Sequence, residues 1–186
     1  MALSFTTRST PDGPFTVVAS PSALVAAGWT ADVAVLVRAV SPVLIPADGI
    51  GPGDAAPIID QALGAIAAYY DGDFAAVAAV PVAQVSGPFR QRAWEALRRI
   101  PAGQAVSYAG LAALAGVPGA ARAAGAACSH NAVALFVPCH RVVTASGLTG
   151  SFAYGAALKR RLLAREGWSS RPPNPNQPAL GEIGPG

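Results

Sequence analysis

The chain has 186 residues, 52% apolar and only 12% charged, enough for a buried core in one ordinary domain or two small ones and too apolar for a disordered chain. It has no run of about eighteen apolar residues, and residues 1–20 lack a basic-then-apolar leader; we therefore expect neither a membrane span nor a secretory signal, and a soluble, cytoplasmic protein with no membrane partner. The net charge of +3 is unevenly spread: residues 1–85 carry a balance of −5 and the remainder +8, so the second half is the one expected to meet a polyanion.

Residues 15–20, 23–27 and 33–37 read as short apolar strands, punctuated by Pro21-Ser22 and Gly28 as in an antiparallel meander. A Pro/Gly-rich loop over 45–57 leads to a helix with Ile58, Ile59, Leu63, Ile66 and Tyr70 on one face, stopped by Asp71-Gly72-Asp73. Residues 80–88 read as a linker. Beyond it Phe89, Ala93, Trp94, Leu97 and Ile100 recur at helical spacing, leaving Arg90, Arg92, Arg98 and Arg99 on other faces. Ser107 suits the cap of a helix through Leu114, Gly116-Val117-Pro118-Gly119 breaks it, and residues 120–128 form the next. That is the pattern of a helix-turn-helix, and equally of a tightly packed helical hairpin. The run Ala134-Leu135-Phe136-Val137 reads as a strand entering Cys139, followed by a glycine-rich loop over 146–155 and a last helix through Glu166. The fold class is α/β in the α+β sense: a small amino-terminal antiparallel-sheet domain with a helix (1–85), a mostly helical domain with a helix-turn-helix (86–168), and a proline-rich tail (169–186) expected to be disordered.

The chemistry gathers at Pro138-Cys139-His140-Arg141-Val142. A cysteine attacks as its thiolate, a minor species of an ordinary thiol at neutral pH, so a nucleophilic cysteine needs a base or a positive field beside it. His140 and Arg141 supply both. An isolated Cys-His pair is more often a buried thiol beside a satisfied histidine, and a Cys-His acyl hydrolase or a non-enzymatic DNA-binding regulator also shares parts of the pattern. Cys128, Cys139, His130 and His140 are the only cysteines and histidines. Their spacing matches neither a zinc finger nor a disulfide framework, so no metal site and no disulfide are expected.

From Val85 to Trp168 the chain resembles the methylated-DNA-protein-cysteine methyltransferases, or O6-alkylguanine-DNA alkyltransferases. The resemblance rests on ordered blocks: Phe89-Arg90-Gln91-Arg92-Ala93-Trp94, Ile100-Pro101-Ala102-Gly103, Val106-Ser107-Tyr108, Leu111-Ala112, Ala121-Arg122-Ala123, Asn131, the pentapeptide at Cys139, Ser146-Gly147, Thr149-Gly150 and Leu162-Leu163-Ala164-Arg165-Glu166-Gly167. It implies that Cys139 accepts, once per molecule and without a cofactor, the alkyl group of O6-alkylguanine or O4-alkylthymine in double-stranded DNA. It further implies His140 as a base acting through a water, Glu166 as the residue orienting the imidazole, Asn131 as a brace between recognition helix and cysteine segment, and Tyr108 as a donor to the departing guanine. Arg141 is implied as a structural charge, and the carbonyls of Cys139 and Val142 as acceptors for the exocyclic amine. Arg122 would fill the gap left by a flipped nucleotide, with Ser107, Ala121, Ala123 and Gly125 at the minor-groove surface and a monomer expected, able to assemble cooperatively on DNA. Such a resemblance, spanning some eighty ordered residues around the cysteine, disfavours the hydrolase.

Phe152, Ala153 and Tyr154 complete the implied substrate pocket and depart from the family. The best-known relatives have tyrosine and serine at the first two positions, and glycine or tryptophan at the third. The backbone N–H of Ala153 is left to donate to the leaving oxygen, and Tyr154 is expected to narrow the pocket against bulky groups. Cys128 reads as packing.

Overall fold

The computed structural model describes residues 2–53 and 57–169. The tail expected to be disordered lies, from residue 170 on, outside them.

Strands β1 (Leu3–Thr10) and β2 (Gly13–Ala19) form a hairpin in the register Thr7↔Thr16, and β3 (Leu24–Gly28) continues it antiparallel. A short β4 (Ile50–Pro52) pairs parallel with the start of β1, giving the order β3-β2-β1-β4. The sheet is therefore mixed, not antiparallel, and β4 falls inside the stretch expected to be loop, where three residues between glycines and prolines show no alternation. β1, rich in serine and threonine, had no apolar run to announce it. Residues 33–37, expected as a strand, form the helix α1 (Val33–Val37), whose first turn is capped by Asp32 accepting from the Ala34 N–H at 2.9 Å. Five consecutive apolar residues carry no periodicity, so the cap and not the run decides. Helix α2 (Pro57–Tyr70) packs on the sheet through Ile58, Ile59, Ala62, Ile66 and Tyr69, while Leu63 and Tyr70 are only partly buried.

The free edge of β3 is covered twice. Residues 81–83 bond to Leu24 (Leu24 N–H to Pro81 O, 2.9 Å; Ala83 N–H to Leu24 O, 2.7 Å), and residues 132–134 bond to Ala27 (Ala27 N–H to Ala132 O and Ala134 N–H to Ala27 O, both 2.9 Å). An unpaired edge is a template for pairing with other chains. Here it fastens two segments that border the site.

The second half is helical. α3 (Pro88–Arg99) lies against α4 (Tyr108–Leu114) and α5 (Ala121–Ser129) through Ala93, Ala115 and Ala127, all fully buried, and Trp94 Nε1 donates to the Ala127 carbonyl at 2.9 Å. Such small side chains let helices approach closely. Ser107 caps α4 by accepting from the Gly110 N–H at 3.0 Å, and Gly116 and Gly119 hold the left-handed turn conformations (φ 78° and 88°) between the two helices. β5 (Val106–Ser107) and β6 (Val142–Val143) pair in parallel, tying the start of the helix pair to the end of the cysteine segment. α6 (Ala156–Arg165) follows the glycine-rich loop and ends with Glu166 as its cap.

The run into Cys139 is not a strand. Ala134, Leu135, Phe136 and Val137 are at most 1% exposed, and Leu135 sits at φ 73°. Asn131 replaces the missing ladder: its amide donates to the Val137 carbonyl at 2.7 Å and its Oδ1 accepts from the Val133 N–H at 3.1 Å. Apolarity there reflects complete burial, and Cys139–Arg141 is a single 3-10 turn.

Candidate active site

Cys139, at 8% exposure, opens on a cavity of about 290 Å³. Its Sγ accepts from Asn131 Nδ2 at 3.2 Å. Asn131 is itself gripped by Gln84, which donates to Oδ1 at 3.1 Å and accepts from the Ala132 N–H at 2.8 Å. Burial pushes the Cys139 thiol up, while the Asn131 hydrogen bond and the Lys159 ammonium pull it back. The resting sulfur is a thiol, so attack requires a base.

Behind the cysteine lies a buried polar network centred on Glu166. His140 Nε2 is 2.8 Å from Oε1, Arg141 donates to Oε2 through Nε at 2.8 Å and to Oε1 through Nη2 at 2.9 Å, and the Tyr69 hydroxyl donates to Oε1 at 2.9 Å. Arg141 Nη1 also donates to the Ile100 carbonyl at 2.5 Å. Burial alone would push Glu166 up, but hydrogen bonds from His140 and Arg141, with their charges, hold it at about 2. Burial likewise pushes His140 down, more than Glu166 restores it, so the imidazole is neutral at pH 7. Facing an ionised carboxylate, Nε2 carries the proton and Nδ1 is left with a lone pair. Nδ1 is the buried side-chain atom without a hydrogen-bond partner among the described residues. A buried acceptor left open in this way, on the residue next to a thiol, has the lone pair that accepting a proton requires.

Tyr108, Gly125, Asn131, Phe152, Ala153 and Tyr154 border the same cavity, as do Cys128, Ser129, Ala134 and Ser151. Burial pushes the Tyr108 phenol up, so it is a donor at neutral pH. Val142 was expected in the pocket, yet its side chain is fully buried in β6 and does not border the cavity; its carbonyl accepts from Lys159 Nζ at 2.5 Å. On the helix pair, Arg122 and Ala123 are exposed, Ala121 and Gly125 partly buried, and the Ser107 hydroxyl is occupied in capping α4.

Several participants escaped sequence reasoning. Tyr69 and Gln84 come from the first 85 residues, where no motif pointed to them. Cys128 borders the cavity, its thiol pushed up to about 12 by burial and by Cys139, so it stays protonated in the cavity it shares with Cys139. Lys159, 1% exposed, had one usable signal: it is the only lysine in a chain with twelve arginines. A compact ammonium fits where a planar guanidinium does not. Among the described residues no group of three or more metal-ligating side chains occurs, and no helix is long and apolar enough to cross a membrane.

Residues 88–168 match the family described as 6-O-methylguanine DNA methyltransferase, DNA binding domain. Over 103 residues the chain is 43% identical to the methylated-DNA-protein-cysteine methyltransferase of Salmonella typhimurium, covering 55% of this chain and 60% of that one. Over 87 residues it is 48% identical to the human protein of that name, covering 47% and 42%. The matched stretch thus spans under two thirds of these relatives' length. The crystal structure of Mycobacterium tuberculosis O6-methylguanine methyltransferase superposes with a TM-score of 0.70 at 32% identity, covering 89% of this chain and 92% of that one, and a structure of the same organism's protein in complex with DNA gives the same score.

Proposed function

The chain belongs to the methylated-DNA-protein-cysteine methyltransferase family, and on that premise we propose that it repairs O6-alkylguanine, and O4-alkylthymine, in double-stranded DNA by irreversible transfer of the alkyl group to Cys139. The observation that carries the proposal is the vacant, buried lone pair of His140 Nδ1, with Nε2 committed to Glu166, on the residue next to a buried thiol.

The adduct is hidden within the duplex, so the nucleotide must rotate out of the stack, at a cost of about a few kcal/mol. Arg122, exposed between Ala121 and Ala123 at the start of α5, occupies the vacated stack, and the small neighbours allow the helix to approach the groove. In the pocket the Cys139 thiol passes its proton through a water to His140 Nδ1. The resulting imidazolium is stabilised by Glu166, which Arg141 and Tyr69 keep ionised and fixed. The thiolate attacks the alkyl carbon, a C–S bond forms as the C–O bond breaks, and the electron pair leaves on the guanine oxygen. Tyr108 donates a proton to the departing base and is restored from the imidazolium, so the thiol proton ends on guanine. Lys159 holds the Val142 carbonyl and adds a positive field that favours the thiolate. A thioether is stable and nothing in the pocket is placed to remove it, so each molecule acts once.

Incubation with a duplex containing O6-methylguanine, followed by intact mass and peptide mapping, tests this. One methyl group per molecule on Cys139 is expected, with an O4-methylthymine duplex reacting at the same residue. Methyl on Cys128, repeated turnover, or no transfer overturns it.

A further inference from the structure

A second cavity, of about 630 Å³, lies between the amino-terminal sheet and α6, walled by Trp29, Leu36, Ala157 and Leu158 with Asp12 and Arg161 at one side. It shares Ser129, Asn131, Ala153 and Tyr154 with the cavity at Cys139, so these residues divide the two. Tyr154 is the movable part of that wall. Its ring makes edge-on contacts with Trp29 (centroids 5.4 Å) and Phe152 (5.5 Å), and its hydroxyl has no hydrogen bond among the described residues. That hydroxyl rests on Gly28, where a Cβ would lie 1.8 Å from the oxygen. The loop segment carrying it is flanked by Gly150 and Gly155, both at positive φ (67° and 91°). Swinging Tyr154 aside gives up two ring contacts and no hydrogen bond. The smaller cavity must take the flipped purine as well as its adduct, so a long chain has no room beyond its first carbons unless the wall opens.

We propose that the larger cavity is a second compartment of the substrate site, which receives the distal carbons of long, flexible O6-alkyl chains when Tyr154 swings off Gly28. The proposal rests on the transfer to Cys139 argued above. Beside the expectation that Tyr154 narrows the pocket against bulky groups, the proposal makes the residue a partition, set by Gly28 at the end of β3 and by Trp29 just after it.

Single-turnover transfer from duplexes carrying O6-methylguanine or O6-(n-butyl)guanine tests it, with the full chain, Ala157→Trp and Tyr154→Ala. Residue 157 is exposed on the first turn of α6 and borders only the larger cavity. Ala157→Trp fills that cavity and slows butyl transfer by about tenfold or more while methyl transfer stays within about twofold. Tyr154→Ala raises the butyl-to-methyl rate ratio. Equal slowing of both substrates by Ala157→Trp, an unchanged ratio in Tyr154→Ala, or a full chain that transfers methyl but not butyl overturns the proposal. A full chain that fails to transfer even methyl instead defeats the proposed function, so the two failures are distinct.

Discussion

The two walls around Cys139 are held by different forces. On one side Asn131, His140, Arg141, Glu166 and Tyr69 are locked by hydrogen bonds of 2.7 to 3.2 Å, those to Glu166 buried and those of Asn131 partly buried. On the other, Phe152 and Tyr154 are held by ring contacts to Trp29 at centroid distances of 5.4 to 6.2 Å. Directional bonds fix a nucleophile and its base to within a fraction of an ångström, as proton transfer requires, whereas edge-on ring packing has a broad minimum and tolerates sliding. On the function proposed above, chemistry is placed on the rigid wall and substrate accommodation on the compliant one.

The comparison breaks most decisively at Glu166. Glu166→Gln leaves the Arg141 guanidinium buried without its counter-charge, which costs about 3–5 kcal/mol of stability in urea unfolding. The same change removes the partner of the imidazolium and slows transfer by about 10² or more. The wild-type stabilisation by this carboxylate has a defined acid limit. Its folded pKa of about 2 lies below the ordinary 4.5, so its contribution is complete above pH 4.5 and is lost as pH falls through about 2. Acid unfolding of Glu166→Gln lacks that transition. His140 titrates below its ordinary 6.5, so the transfer rate of the wild-type chain stays level on acidification through that value and falls only below it.

A residue outside both walls sharpens the contrast. Arg122→Ala slows transfer from duplex DNA by about a hundredfold, the scale of a flipping cost of a few kcal/mol, but leaves transfer from a small free-base substrate that enters the pocket near wild type. Equal slowing on both substrates identifies Arg122 as a packing or phosphate contact.

Tyr69→Phe removes one donor from Glu166 Oε1 and keeps the ring, costing about 1.5–3 kcal/mol, as for a hydrogen bond to a charged group. Its signature is a changed pH profile of transfer with unchanged duplex affinity, since the lost hydroxyl bonds the carboxylate and Tyr69 is fully buried. Smallest is Trp29→Phe on the compliant wall. Part of the edge-on packing survives and one hydrogen bond, from the indole N–H to the Tyr70 hydroxyl, is lost, so stability falls by about 1.5 kcal/mol and methyl transfer stays within about threefold. A loss as large as that of Glu166→Gln shows instead that the ring wall is rigid.

Much of the molecule followed from short-range rules. Ser107 as a cap, the glycines at 116 and 119, the periodicity of α3 and the end of α6 at Glu166 depend on contacts a few residues apart, which a linear pattern encodes. The Cys139-His140 pair and its glutamate were legible for the same reason, as chemistry written in adjacent residues and one matching block. The sequence by itself could not determine whether an unpatterned apolar run becomes a strand, as residues 33–37 and 134–137 show, because a hydrophobic run states only that it is buried. Nor did it determine which distant groups complete the site. Tyr69 reaches a carboxylate 97 positions away because α2 packs across the sheet, and Gln84 and Asn131 meet because both flanking segments pair with one strand edge. Local sequence selects backbone conformations and the reactive atoms; the donors that satisfy a buried charge are chosen by packing, where every polar group taken from water must find a partner wherever the fold brings one.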